Sequence, residues 1–451
     1  MRVIDSTVVQ SPGACSVSTR GPMTLVIVGA GHRGVDYAGY ALHHSEKAKV
    51  VGVADPIEHR RRAVADRFGL TASQCFRSAE ELAARGKIAD AAINGTMDSQ
   101  HVSTSLALLA AGYDVLLEKP LATNEQEMFQ LLDAVRQTGR RIMICHVLRY
   151  APFYRAIFDL VAAGRIGQII NIQLAEHVSY HHTAVGYVRG KWNRRDVGGS
   201  SMLMAKCCHD LDLLAWMKTG VRPVRVASFG SLTYFRPERA PRDAGSRCLV
   251  DCPIESACDY SVRKHYLDHP LRWAPYVWQG MEHQEDQSIR AKTHYLCQSD
   301  NPYGRCVWKC DNDVVDHQSL LVEFEDGGTA TFNMVGNATR PQRSIHLLGT
   351  DGEIAGIFED SRFVVRSRDV RAGHEYAEEI ISIDEHGDMH GATGGHGGGD
   401  LQLVADFVNY VRGEPASPSC TSLHDSISGH LIGFQADRAM VQQQALVIPP
   451  W

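Results

Sequence analysis

The 451-residue chain has no run of about 18 apolar residues, the length a bilayer-spanning helix needs, so nothing in it reads as a membrane span. It has no excess of basic residues either. Lys and Arg number 46 against 52 Asp and Glu, a net charge of −6, which argues against a surface built to neutralise nucleic-acid phosphates. The opening stretch, MRVIDSTVVQSPGACSVSTRGPM, lacks an uninterrupted apolar core behind a basic start. It fails as a secretory signal, and residues 1–23 read as a disordered lead-in. Without export, the expected location is cytoplasmic, and the twelve cysteines are expected as reduced thiols, metal ligands or small buried residues rather than a disulfide framework. The chain also lacks any CxxC pair and any internal repeat.

What is present is 44% apolar and 22% charged residues, the profile of a soluble globular protein, in a chain too long for one ordinary core. Residues 24–148 alternate strand-like and helix-like segments. The apolar runs Thr24–Gly29, Val50–Asp55, Ala89–Asn94, Tyr113–Glu118 and Arg141–Cys145 predict parallel strands joined by right-handed helical crossovers. From 149 to 451 the rhythm changes to longer alternating strands, with turn pairs at Asp326-Gly327 and Asp351-Gly352. The fold class expected is α/β: a Rossmann dinucleotide-binding domain followed by an α+β domain with an open, mostly antiparallel sheet. Two features interrupt that second domain, a cysteine-rich insertion over 240–313 and a glycine-rich loop over His390–Asp400.

Directly after the first strand comes Gly29-Ala-Gly31-His32-Arg33-Gly34. The glycines suit a tight turn, the close approach of a pyrophosphate and helix-on-strand packing, and Asp55 ends the next strand where ribose hydroxyls would be held. The plain alternative is a structural turn. A carboxylate at 55 favours NAD over NADP, while Arg60, Arg61 and Arg62 keep NADP open.

Glu118-Lys119-Pro120, inside AGYDVLLEKPLATN, follows the fourth strand, with His101 upstream in DSQHVSTSLALLAAG. This arrangement resembles the glucose–fructose oxidoreductase / inositol dehydrogenase / MocA family of NAD(P)-dependent oxidoreductases, over residues 24 to about 235. The resemblance implies that Lys119 is an active-site lysine, that Pro120 follows a cis peptide bond, and that Thr96, His101, Glu118 and Lys119 join the cofactor site. It also implies a homo-oligomer, dimer or tetramer, formed through the C-terminal sheet. Independently, a lysine at the carboxyl edge of a parallel sheet lies beside the nicotinamide crevice, where proton transfer is needed. A surface ion pair with Glu118 is the bland alternative.

The resemblance extends to Gly199–Asp212, where His209 takes the place of the family's catalytic histidine and Asp212 keeps its neighbour. Ser200 and Ser201 replace glycines, Cys207 replaces another, and Ala205 stands where an aspartate is common. Helical spacing puts 205, 208, 209 and 212 on one face, with Lys206 and Asp210 elsewhere. Lys206, Tyr180, His182, His177 or His181 is therefore expected to supply the missing polar contact. Lys119, Lys206, His209, Tyr180, His182 and Asp400 form the expected substrate set, with His396 as a companion of Asp400; a flexible loop ending in an Asp N-cap is the alternative there. Cys207, Cys208 and His209 make a poor metal site, because adjacent helical residues diverge by about 100°.

The expected activity is hydride transfer between a nicotinamide cofactor and a hydroxyl-bearing carbon of a sugar, sugar derivative or inositol, with His209 or Lys119 taking the proton. A redox-neutral NAD-dependent glycosidase and a non-catalytic NAD(P)-responsive regulator are the alternatives. A small carbohydrate or polyol is the expected partner, with no nucleic acid and no membrane.

Six cysteines fall between 248 and 310. In a polar, proline-interrupted loop, four thiolates on a structural zinc would offset the entropy of ordering the segment. Cys252, Cys258, Cys306 and Cys310 are the expected ligands, with Cys248 as substitute. Ordinary thiols or disulfides remain the alternative.

Overall fold

The computed structural model describes residues 2–3, 21–383 and 399–451. Of the expected lead-in, only residues 2–3 and 21–23 are among them. His396 and most of the glycine-rich stretch lie outside the described residues, leaving Gly399 and Asp400 inside. Contacts divide the chain into two units: Met1–Ile172, Asp212–Val221 and Ile345–His430 form the first, and Gln173–Leu211, Arg222–Ser344 and Leu431–Trp451 the second.

The first unit holds a six-stranded parallel sheet. Its order is Cys75–Phe76, Ala48–Ala54, Met23–Val28, Ala91–Asn94, Asp114–Leu117, Ile142–Ile144. Five of these strands match the apolar runs in the sequence; the two-residue edge strand at Cys75 carried no such run. Covered on both faces, the strands are almost wholly apolar, with Leu25, Val26 and Ile27 fully buried. Met23–Val28 pairs with Ala48–Ala54 on one side and with Ala91–Asn94 on the other, so strand order reverses there. In sheets of this kind a ligand crevice opens at the carboxyl ends of such a pair.

The core beneath this sheet is completed from far along the chain. Leu403, Val404, Phe407 and Val408, on the helix Gly399–Arg412, are buried in one cluster with Leu25, Ile27, Tyr37 and Val53. Also in the first unit, Gly352–Ile357, Arg362–Arg368 and Tyr376–Ser382 pair antiparallel in succession, and Arg2–Val3 adds a parallel edge.

In the second unit Pro223–Ser231, His317–Phe324 and Thr329–Ala338 run antiparallel, and Leu446–Val447 adds to the outer edge of Pro223–Ser231. His317–Phe324 and Thr329–Ala338 join through Asp326-Gly327, where Gly327 adopts φ +83°, a left-handed conformation that costs glycine little. The open, mostly antiparallel sheet expected after residue 150 is therefore present. Strands Ile169–Ser179 and Gln342–Gly349 each run through the chain positions where the two units divide. The insertion contains mostly short helical turns; its longest regular element is the helix Ile289–Cys297, started by the Ser288 side chain accepting from the Ala291 N–H. Among the described residues no helix is long and apolar enough to cross a membrane.

Candidate active site

The glycine motif is built by backbone meeting backbone. Gly29 has φ +82°, and a Cβ there would stand 2.7 Å from the Gly95 carbonyl carbon. A Cβ on Gly34 would stand 2.4 Å from the Gly29 oxygen, and one on Gly95 would reach Gly34 at 3.0 Å. Gly95, just past the third strand of the sequence series, is thus a third member of the turn, and its signal in the sequence was only a lone Asn-Gly-Thr. Gly31 differs: a Cβ there meets nothing within 4 Å, and this residue begins the helix His32–Ala38 with no side-chain cap. Open space in front of uncapped amide groups suits an anion. His32 turns to Asp36, 2.7 Å away.

Asp55 lies at the end of its strand as expected. Its two oxygens each accept a backbone N–H at 2.7 Å, from Ala30 and from Ile57, which fixes the glycine loop against the second strand. A carboxylate has about four lone-pair sites, so capacity for hydroxyl donors remains.

The Glu118-Lys119-Pro120 loop is held from three directions, and the Lys119–Pro120 bond is cis. His101 sits with Nδ1 2.7 Å from the Pro120 oxygen and Nε2 3.1 Å from the Thr96 oxygen, so it ties this loop to the one carrying Thr96. Thr96 in turn donates from Oγ1 to the Asn94 side chain at 2.8 Å. Glu118 accepts from Arg33 Nε at 3.0 Å, from Tyr37 OH at 2.8 Å and from the Lys119 N–H at 2.7 Å. Burial opposes the Glu118 charge, but Arg33 and Lys119 outweigh it and hold the carboxyl below its usual range. Arg33 also donates to Tyr37 and to Asp400, the latter at 2.7 Å. Asp400, expected on substrate hydroxyls, is therefore a partner of the glycine-loop arginine within the first unit.

Next to Lys119 stands a group the sequence reading missed. His146 is completely buried; desolvation first, then the charges of Arg149 and Lys119, push it well below the ordinary histidine range. Its Nε2 is 3.8 Å from Asp212, and its ring lies 5.5 Å from that of His430. Asp212 receives both arms of Arg149, at 2.7 and 2.6 Å. This bidentate pair ties the helix that carries Asp212 to the loop that carries Arg149.

The helix Met202–Met217 runs through the chain position where the units divide, and its part in the second unit carries Lys206 and a buried His209. Lys206 pairs with Glu176 at 3.3 Å, and Arg343 bridges Glu176 and Asp210 at 2.6 and 3.1 Å. Lys206 and Asp210 thus share one helix face, as the spacing predicts. Burial is the first cause pushing Asp210 above the usual carboxyl range, and Glu176 adds to it. Lys206 is close enough to His182 to help hold that imidazole neutral. Tyr180 instead packs edge-on against Tyr260, His181 and His265.

The zinc expectation gains no support. Among the described residues no three His, Cys, Asp or Glu side chains are grouped to hold a metal ion, and the eleven described cysteines are all free. The premise of a coreless loop was wrong. The insertion shares a core with chain that precedes it: Tyr260, Val307 and Trp308 pack with Ala184, Val188 and Phe235, with Cys306 buried among them and Cys258 and Cys310 packed against the cluster. Cys310 donates to the Cys306 oxygen, and burial pushes its thiol up to about 11. Cys252 is only half-buried.

Residues 23–146 match the profile of an oxidoreductase family with an NAD-binding Rossmann fold. Over these residues the chain is similar to the Gfo/Idh/MocA oxidoreductase family. YteT of Bacillus subtilis (strain 168), named as an oxidoreductase, is 25% identical over 325 residues, 70% of this chain and 72% of its own. Inositol 2-dehydrogenase 2 of Saccharopolyspora erythraea is 26% identical over 206 residues, 43% of this chain and only 53% of its own length. In fold, the NAD binding oxidoreductase from Klebsiella pneumoniae superposes with a TM-score of 0.68 at 16% identity, over 95% of this chain and 100% of that one. The WlbA dehydrogenase from Bordetella pertussis, in complex with NADH and UDP-GlcNAcA, gives 0.64 at 16% identity, over 96% and 99%. The match over residues 23–146, to a family with an NAD-binding Rossmann fold, makes NAD the group to test against the glycine turn. The open space at Gly31 and the uncapped helix start fit a pyrophosphate, and the spare acceptor capacity of Asp55 fits a ribose.

Proposed function

We propose that the protein is an NAD(P)-dependent dehydrogenase acting on a hydroxyl-bearing carbon of a sugar, sugar derivative or inositol. The observation that carries this reading is Lys119, a lysine at the carboxyl edge of the parallel sheet whose loop is clamped by His101 and by a doubly held Glu118. Nothing in a merely structural turn requires that much fixing of the backbone that carries an ammonium group. Beside it, a neutral His146 adds no competing positive charge.

When bound, the nicotinamide supplies the hydride acceptor or donor. The chain's part is the proton: we propose that His209 or Lys119 removes it from the hydroxyl during oxidation and returns it during reduction. Tyr180, His182 and Lys206 stay with the proposed substrate set, and the Lys206–Glu176 pair gives that lysine a fixed place. NAD is the preferred form, because Asp55 would face a 2′-phosphate with like charge. Relatives named inositol 2-dehydrogenase and 1,5-anhydro-D-fructose reductase support a polyol or sugar substrate.

The test is steady-state oxidation of a panel of hexoses, sugar acids and inositols with NAD and with NADP. Lys119→Ala and His209→Ala should each lower turnover at least about a hundredfold while NADH still binds, the loss usual for a positioned acid–base group. Near-normal turnover in either variant removes that residue from the mechanism, and tighter binding of NADP than NAD removes the role given to Asp55.

A further inference from the structure

The insertion sets Arg272, Trp273 and Tyr276, which the dehydrogenase reading leaves unused, beside His182 of the proposed substrate set. The His182 ring lies 5.0 Å from Trp273 and 6.4 Å from Tyr276, and the last two are 5.9 Å apart. Trp273 is 3% exposed, and its indole N–H is buried without a hydrogen-bond partner. An unmade buried donor is costly, and native proteins keep one where a further group takes the bond. His182 and Tyr276 are only half-buried, so the cluster is not sealed.

The charges around it are unbalanced. Arg272 donates from Nη2 to His181 Nε2 at 3.0 Å, and its guanidinium stands 5.8 Å from the Trp273 ring centre. A ring nitrogen that accepts a hydrogen bond carries no charge, and among the described residues no carboxylate pairs with Arg272. Lys206 and Arg343 also bear on His182, but Glu176 and Asp210 answer them. Three cations therefore face two carboxylates. Burial first, then Lys206, His181, Arg343 and Arg272, holds His182 well below its usual range, the behaviour of an imidazole in a positive field.

We propose that Arg272, Trp273, His182 and Tyr276 form a subsite for a carboxylate-bearing sugar, a hexuronate. The planar guanidinium matches a carboxylate fork, the indole N–H donates to a hydroxyl, and the half-buried rings of His182 and Tyr276 receive the apolar C–H face of the sugar. The proposal deepens the dehydrogenase reading by naming its substrate class, and rests on that reading only in taking a sugar as the ligand.

The test is calorimetric titration of the full chain, saturated with NADH, with D-galacturonate and with D-galactose at low ionic strength. Galacturonate should bind at least about tenfold more tightly, as a charge-assisted contact implies, and added salt should weaken it selectively. Arg272→Ala should bring the two affinities together, Arg272→Lys should keep part of the preference, and Trp273→Phe should weaken both sugars. Equal affinities in the unmodified protein, no binding of either sugar at about 10 mM (a free energy near −2.7 kcal/mol, too weak for a built site), or an unchanged preference in Arg272→Ala each overturns the subsite. Failure of the dehydrogenase reading looks different: the uronate preference persists, while Lys119→Ala turns over normally.

Discussion

The glycine crevice of the first unit and the insertion of the second solve the same problem, fixing irregular chain, by opposite means. Around the crevice the backbone itself makes the close contacts, at Gly29, Gly34 and Gly95, and the buried charges there are answered by charges: Arg33 by Glu118 and Asp400, Arg149 by Asp212. In the insertion, rings and thiols fill the interior. The cation buried against it, Arg189, has no carboxylate partner among the described residues and is satisfied by hydrogen bonds to the oxygens of Arg305 and Tyr260, to Tyr266 OH and to Cys248 Sγ. Charge pairing makes the crevice sensitive to loss of one partner, whereas the insertion depends on shape and on the absence of new polar groups.

Breaking one member of the bidentate pair should give the largest effect. Arg149→Ala leaves Asp212 buried and uncompensated, and should cost about 3–5 kcal/mol in urea denaturation. A loss under about 1 kcal/mol would mean that the charge lock is decorative. In the insertion, Cys306→Ser puts a hydroxyl into an aromatic core and should cost about 1–3 kcal/mol, while EDTA leaves the melting temperature unchanged. A chelator-induced drop of several degrees would instead restore metal as the insertion's staple. The smallest and most graded effect is with pH. His146 and His430 are both buried and held below the ordinary range, His430 to about 3. The unfolded chain then binds protons that the folded one refuses. Their contribution is complete above about pH 6.5 and is lost as pH falls from there, at up to about 1.4 kcal/mol per unit for each. A melting temperature flat between pH 7 and 5 would contradict the neutral state of both.

The first unit was largely legible because its constraints leave periodic or spaced marks. Strands covered on both faces must read as apolar runs, and a turn that admits no Cβ must read as glycine. The insertion was not legible because aromatic packing has no period. The Tyr180 ring packs on Tyr260, eighty residues on, a contact no local pattern announces, and of the thiols that suggested zinc Cys258, Cys306 and Cys310 are packing groups in the cluster around Trp308. Arg149 could not be matched to Asp212 from the sequence, since nothing local links a loop after a strand to a helix 63 residues later. His146 shares that difficulty: its meaning lies in the burial that surrounds it.

The helix Gly399–Arg412 has a bearing on how the protein is made. It places Leu403, Val404 and Phe407 into the core shared with the first strand, and Asp400 onto Arg33, 367 positions earlier. During synthesis the nucleotide-binding half leaves the ribosome with a core still missing one of its walls, and it must wait for more than two hundred further residues before that wall arrives. Contacts so distant in sequence slow folding and prolong the exposure of apolar surface. A fragment ending near residue 150 should accordingly be recovered as aggregate, and supplying the C-terminal segment as a separate chain during refolding should rescue it.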